Sequence, residues 1–272
     1  MIQPGQIVTI AAKEFRDRLR NRWVLAVALV FAVFSLVITY AGGAQQGTVG
    51  LRSLEFTITS LVSLVIYLVP LIALLLGFDA IVGERERGSL DLLLAYPITR
   101  GELLIGKYLG LTMAMALAML AGLATVGVAL TWQFGVKALF HYAGFVLSTL
   151  LMGMSFLSLA MLVSTIARDR TRASGAAIAL WFLFVLVFDL LLLGVLVGTA
   201  GHYGGAIFPY LLLLNPTDIF RILNVFSLED VRSAYGLVNM VPPLLSNMSV
   251  LSAAMLVWIV MPLALANWRF RP

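Results

Sequence analysis

The stretch ITSLVSLVIYLVPLIALLLGF, residues 58–78, runs for 21 residues without a single Asp, Glu, Lys or Arg. As an α-helix it is about 31 Å long, the thickness of the hydrocarbon core of a bilayer. Working outward from it, five further runs are comparably apolar, interrupted only by Lys107 in the third span and Asp189 in the fifth: Trp23–Ala41, Leu103–Thr131, Leu139–Ile166, Ala173–Val197 and Val250–Trp268. The composition agrees, with 61% hydrophobic and 11% charged residues among 272 and a mean hydropathy of +1.02. A soluble chain runs near half apolar and a quarter charged, so that class is excluded, and disorder is excluded with it. The expected fold is all-α: a polytopic membrane protein with six transmembrane helices. No fixed repeat or low-complexity linker divides the chain, so residues 1–272 read as one transmembrane domain.

Charge fixes the expected orientation. Fourteen of the 18 Lys and Arg lie on one side: before the first run, between the second and third or at the entrance of the third (Lys107), between the fourth and fifth, and after the sixth. The other side holds Arg52, Lys137, Arg221 and Arg232. The positive-inside rule places both termini in the cytoplasm, as an even number of spans requires. The net charge of +5 and pI of about 9.7 are explained by these flanks, and no nucleic acid is expected as a partner. The first run is read as an uncleaved span. A small-residue stretch follows it, but the 22 residues before it are long and mix both charge signs, unlike the basic start of a signal peptide. There is no cysteine, which removes disulfides and thiolate chemistry.

The connections carry more information than the spans. In residues 1–22, Ile7, Ile10, Ala11, Phe15 and Leu19 recur at helical spacing, the pattern of an amphipathic helix in the cytoplasmic interface beside anionic lipid. Glu14 and Arg18 stand at i, i+4. A simple polybasic anchor fits the same residues. Residues 79–102 (DAIVGERERGSLDLLLAYPITRGE) form the most unusual stretch, a dense charge run edged by glycines. A short helix follows, with Leu90, Leu93 and Leu94 on one face, and Pro97 ends it. Thr99 and Glu102 have the spacing of a capping box opening the third span. Such a helix, held tightly between two spans, either docks into a soluble partner or is a solvated polar loop, and the residues alone leave the two even.

Gly83-Glu84-Arg85-Glu86-Arg87-Gly88-Ser89-Leu90, with Leu93, Pro97, Glu102 and Gly106-Lys107, resembles the corresponding stretch of ABC-2 type transporter permeases. The resemblance covers most of the chain by topology and is concentrated in residues 79–107. It implies a coupling helix between spans 2 and 3 that contacts separate cytoplasmic ABC ATPase subunits. On this chain those contacts fall to Glu84, Arg85, Glu86 and Arg87 with Leu90, Leu93 and Leu94. The resemblance further implies a homodimer in a bacterial inner membrane, acting as the permease half of an exporter and not as an enzyme. A closer resemblance is to the permeases of exporters that serve nitrous oxide reductase maturation. It rests on Asn21-Arg22-Trp23, on Pro70–Leu76 with Asp79–Glu84, and on Leu214–Arg221. It implies a sulfur-containing cargo for a copper–sulfide centre; another solute, a lipid or a drug stays open.

Residues 199–249 form the longest connection, extracytoplasmic on this topology. Thr217 can cap a short helix after Asn215-Pro216, and Ser227 with Asp230 can open another. From the residues alone, packing back onto the span ends is favoured over docking a partner. The closer resemblance shifts this toward a periplasmic partner protein, with Asp218, Phe220, Arg221 and Tyr235 as its contacts. Asp189 lies inside span 5, where a carboxylate costs roughly 2.5–3.5 kcal/mol on insertion scales and must face the bundle or water. It either lines a pathway or bonds a neighbouring helix, and no basic partner is visible for it in the sequence. An intramembrane enzyme built on Asp189 and His141 or His202 is the rival of a different class.

Two suggestive patterns are set aside. Gly101–Lys107 has P-loop spacing, but Tyr108 stands where Ser or Thr must hold magnesium, and a membrane helix begins at Glu102. Met113, Met115, Met119, Met152, Met154 and Met161 could suit copper(I), yet neither trio lies on one helical face, and packing explains them. No cofactor or metal site is expected.

Overall fold

The computed structural model describes residues 3–20, 22–41, 54–198, 208–225 and 247–270. Helix α1 (Pro4–Arg20) leads through a turn at Arg22 into α2 (Trp23–Ala41). Arg22 has φ of 52°, a left-handed backbone that turns the chain, and the two helices meet at a 65° bend. Then come α3 (Leu54–Gly77), the short α4 (Val82–Glu86) and α5 (Ser89–Leu94), and the long hairpin of α6 (Arg100–Phe134) and α7 (Val136–Ile166). Helix α8 (Arg170–Phe182) continues through a π-turn (Leu183–Val187) into α9 (Phe188–Gly198). The described part of the next connection holds α10 (Phe208–Leu211), a 3-10 turn and α11 (Pro216–Val225), and α12 (Met248–Arg269) ends the fold. Five helical segments are long and apolar enough to cross a membrane, six when the bent pair of α1 and α2 is counted. The six expected spans and the all-α class are therefore observed, α2 at the boundaries read from the sequence.

Helix α6 is the axis on which the rest is laid. Its 35 residues make about 52 Å, some 20 Å more than a bilayer core needs. Helices α1 and α2 pack along it in succession, and three glycines let them come close. A Cβ on Gly106 would stand 2.7 Å from Ile10 Cβ, one on Gly110 2.6 Å from the Ala11 carbonyl oxygen, and one on Gly122 2.4 Å from Phe31 Cβ. In a membrane, where lipid tails are as apolar as leucine, such backbone approach is what dispersion contacts require. The Gly106–Gly110 spacing therefore seats α1. On the other side α3 crosses α7 at Gly77, against Ala160 and Leu157.

The core between these layers holds Phe31, Phe145, Phe156 and Phe220, all 2% exposed or less. Met115, Met119, Met152 and Met161 are buried in it, whereas Met113 is exposed, so the methionines fill the core rather than gather at one accessible site. A cavity of about 730 Å³ between the outer parts of α6 and α7 is lined by apolar groups such as Leu123, Val128, Trp132 and Val146. The capping box expected at the start of α6 is present: the Glu102 N–H donates to Thr99 Oγ1, and the Thr99 N–H to the Glu102 carboxylate.

Substituting Gly110 by Val should force α1 off α6 and cost about 1–3 kcal/mol, the usual penalty of overpacking. Gly144→Ala meets nothing within 4 Å and should not lower stability, because a helix interior itself favours Ala over Gly. Thermal unfolding of the two purified variants in one detergent checks the difference.

Candidate functional site

The first part of the connection from α3 to α6 is clamped to the adjoining ends of α7 and α8. The backbone N–H groups of Ile81 and Val82 donate to the buried Ser164 hydroxyl on α7, at 2.9 and 3.1 Å. Arg170, at the start of α8, closes on Asp79 with Nε and Nη2 at 2.6 and 2.8 Å from its two oxygens. Gly83 makes room for that carboxylate, since a Cβ there would meet Asp79 Oδ1 at 2.3 Å. Of the four expected charged contacts, two serve helix ends. Arg85 donates to the carbonyls of Thr165 and Ala167, at 3.2 and 2.8 Å, a cation at the C-terminus of α7. The Glu86 carboxylate accepts from the Arg170 N–H at 2.7 Å, an anion at the N-terminus of α8. Both placements oppose the helix dipole favourably.

Glu84 turns inward. Its carboxylate lies 3.2 Å from Lys107 Nζ on α6, which also lies 3.1 Å from Glu14 on α1. Ser89 donates a further hydrogen bond to Glu84, and Arg87 lies 3.8 Å away on the solvent side. The Lys107 side chain is only 5% exposed, so an ammonium removed from water is answered by two carboxylates. The sequence read Lys107 as an orientation charge and Glu84 as a partner contact. In the folded chain they are one buried ion cluster joining α1, α4 and α6.

The short helix α5 requires a second correction. Leu90, Leu93 and Leu94, expected to face the partner, face the chain's own core: Leu90 is buried, and Leu93 and Leu94 pack against the buried cluster. The apolar stripe holds the helix in place. The outward face is carried by Asp91, Leu92 and Tyr96, with Leu92 and Tyr96 exposed by 70% and 68%. Spacing could not have found them, because periodicity marks a face without saying which side is covered.

A second polar cluster lies where α11 meets span 5. The π-turn takes one residue too many per turn, and the Phe184 carbonyl accepts from Asn215 Nδ2 at 2.8 Å and from the Thr217 hydroxyl at 3.3 Å. Helix α11 thus re-enters the bundle to the level of a residue near the middle of the Arg170–Gly198 segment. Its Asn224 exchanges hydrogen bonds with Ser148 on α7. Asp218 and Phe220, expected at a partner's surface, are 1% and 0% exposed, because the apolar side of this amphipathic helix is folded into the chain's own core. Arg221 supplies the basic partner that the sequence did not reveal for Asp189, at 3.1 Å, and it also holds Asp218 at 2.8 Å. Asp189 and Arg221 each keep about two-fifths of their side-chain surface open, 41% and 40%. No sequence rule pairs residues 32 apart in different segments. Tyr235, Ser227, Asp230, His202 and the side chain of His141 lie outside the described residues. Among the described residues no three His, Asp or Glu are gathered in a form that could hold a metal ion.

With this geometry in place, comparison with known proteins is specific. A family model described as ABC-2 family transporter protein matches residues 8–271. A protein of Pseudomonas aeruginosa named "Probable ABC transporter permease protein NosY" is 46% identical over 267 residues, 97% of each chain. A protein of the same name from Stutzerimonas stutzeri is 44% identical over 272 residues, 98% of each chain.

Removing the ammonium leaves two buried carboxylates facing each other, so Lys107→Met should cost about 3 kcal/mol or more. Arg87→Ala, at a pair whose arginine is mostly exposed, should cost under about 1 kcal/mol. Thermal denaturation of both variants against the parent chain measures the contrast.

Proposed function

The chain belongs to the ABC-2 family of transporter proteins and is the permease subunit of an ABC transporter; from that premise we propose that it couples ATP hydrolysis by separate cytoplasmic subunits to export across a bacterial inner membrane. The single observation that supports coupling best is the clamp around α4 and α5. Asp79, Ile81, Val82, Arg85 and Glu86 are each bonded to the inner ends of α7 or α8, and Glu84 reaches α6 and α1 through Lys107. A partner that pushes on this element therefore moves span ends as rigid bodies. Leu92 and Tyr96, one turn apart and exposed, are the anchors we assign to the partner's groove, with Asp91 and Arg87 at its rim. Glu84, Arg85 and Glu86 act behind them, passing force to the bundle.

The working unit we propose is a homodimer with both termini of each chain in the cytoplasm. A half-exposed ion pair inside a span is costly against lipid. The Asp189–Arg221 face therefore suits a water-filled route between two copies better than the lipid side. Asp189 becomes a pathway residue held by Arg221 rather than an isolated acid. The cargo follows the relatives: proteins named NosY at 44–46% identity over nearly the full length favour a sulfur species for the copper centre of nitrous oxide reductase. A periplasmic partner protein belongs to the same reading. With Asp218 and Phe220 buried, Arg221 is the described residue of α11 left for such a contact.

Extraction in mild detergent should bring down two ATPase subunits for two copies of this chain. In the reconstituted complex, Leu92→Asp with Tyr96→Ala should abolish stimulation of ATP hydrolysis while the chain still inserts and purifies. Full stimulation in that double variant rules out the assigned anchors, and a chain that purifies alone from membranes with other complexes intact rules out the coupled permease.

A further inference from the structure

Arg221 holds its guanidinium between two carboxylates that are placed very differently. Asp218, three residues back on α11, accepts from Nη1 at 2.8 Å, is 1% exposed, and takes a second hydrogen bond from Asn215 Nδ2 at 3.0 Å. Asp189, on α9, meets Nη2 at 3.1 Å and keeps 41% of its side chain open. That contact is its one ion pair among the described residues. Asp218 by itself balances the guanidinium, so Asp189 is surplus. With all three groups ionised the cluster carries one negative charge too many. A tie between helices needs only one acid for one arginine, and an unbalanced charge within a span is costly.

The tie is not needed to hold α11 in place. Asn215 and Thr217 donate to the Phe184 carbonyl of span 5, and Asn224 exchanges hydrogen bonds with Ser148 on α7. Phe220 packs on Phe145 with ring centres 6.0 Å apart. Just before α11, Trp258 on α12 donates to the Leu213 carbonyl at 3.0 Å. None of these bonds involves Asp189. When Asp189 swings out, Arg221 therefore stays where it is and stays paired with Asp218. What remains is a neutral pair whose Nη2 donors face a place of carboxylate size. That place is reachable, because Arg221 is itself 40% exposed and Leu193, one turn beyond Asp189 on the same side of α9, is exposed as well.

We infer that the Nη2 side of Arg221 is a binding site for a small monovalent anion, with the Asp189 carboxylate as its resident occupant and Asp218 as the fixed counter-charge. A guanidinium is always charged and offers its donors in a rigid plane, so it holds an anion at one edge while the other edge stays bonded. Exchanging the carboxylate for a monovalent anion keeps the charge count at the fork. A divalent anion adds a further negative charge beside Asp218, in partly buried surroundings where water screens little, and is refused. The arriving anion releases Asp189 to water and breaks the link between α9 and α11 without displacing α11. Its departure lets Asp189 close again. That this anion is the cargo, with hydrosulfide as the sulfur species of the right charge and size, rests on the pathway reading above; the binding does not.

Thermal melting of the purified chain in mild detergent tests the site without any partner. At constant ionic strength, sodium gluconate is replaced stepwise by sodium formate, hydrosulfide or sulfate, for the parent, Asp189→Ala and Asp189→Glu. An ion that binds the folded chain raises the midpoint as it saturates, and the tethered carboxylate competes with it at a high effective concentration. Formate and hydrosulfide should therefore act on Asp189→Ala at concentrations roughly tenfold or more below those the parent needs, and Asp189→Glu should restore the parent curve. Equal curves for all three proteins overturn the site, because a purely structural tie lowers the midpoint without creating a response to anions. Sulfate acting on Asp189→Ala as strongly as formate overturns the monovalent class. If Asp189→Ala does not purify, Asp189→Asn keeps the volume, loses the charge and gives the same comparison. Hydrosulfide that shifts the melting yet leaves ATP hydrolysis by the reconstituted complex unchanged overturns the anion as cargo and leaves the site standing. A complex with no stimulated hydrolysis under any condition counts against the coupled permease, while the melting curves still decide the site.

Discussion

A lysine ammonium held out of water is the constraint on which the end of the bundle that carries α4 and α5 depends. Lys107 sits on the longest helix at 5% side-chain exposure, with Glu14 and Glu84 at 3.1 and 3.2 Å. The two carboxylates share the hydrogen bonds of the ammonium and take further ones from Arg18 and Ser89 at the edges, with Arg87 3.8 Å from Glu84 as an ion pair. Such a cluster is weak as a source of stability compared with apolar packing, but it fixes geometry, because no neighbouring arrangement satisfies all its members. It sets where α1 lies along α6 and how far α4 is turned toward the bundle.

The packing around that cluster uses close approach in place of hydrophobic drive. Gly106, Gly110 and Gly122 seat α1 and α2 on α6, and Gly77 seats α3 on α7. Buried hydroxyls and amides on α7 and α11, Ser148 with Asn224 among them, tie helices across the core. The π-turn of span 5 gives the same kind of attachment to a helix that re-enters the bundle, with Asn215 bonded to the Phe184 carbonyl. One end of the bundle is thus tied firmly to α4 and α5, and α11, which leans on the irregular span 5, carries the half-exposed Asp189–Arg221 pair.

These two ends suit a permease driven from the cytoplasm. Force applied at Leu92 and Tyr96 would reach α6, α7, α8 and α1 through bonds already made, without local unfolding. The Asp189–Arg221 pair lies where α11 meets span 5 at its π-turn.

Much of this fold was legible as a string. Apolar runs of bilayer length, two of them carrying a single charge, marked six spans, because apolar residues in such number have no other stable surroundings. The distribution of Lys and Arg fixed the expected orientation, and Thr99 with Glu102 marked the start of α6 by local chemistry alone. The stretch 79–107 carried the family resemblance, which the family match over residues 8–271 bears out. Tertiary structure decided which side of each element is covered and which distant charges meet. Leu90, Leu93 and Leu94 form one face in any helix, but only packing shows that this face turns inward. Lys107 and Glu84 are 23 residues apart, and Asp189 and Arg221 are 32 apart, in different helices. Helical periodicity reaches three or four residues along a chain, so no local rule could pair them; the fold brings them together because a charge withdrawn from water must find its opposite.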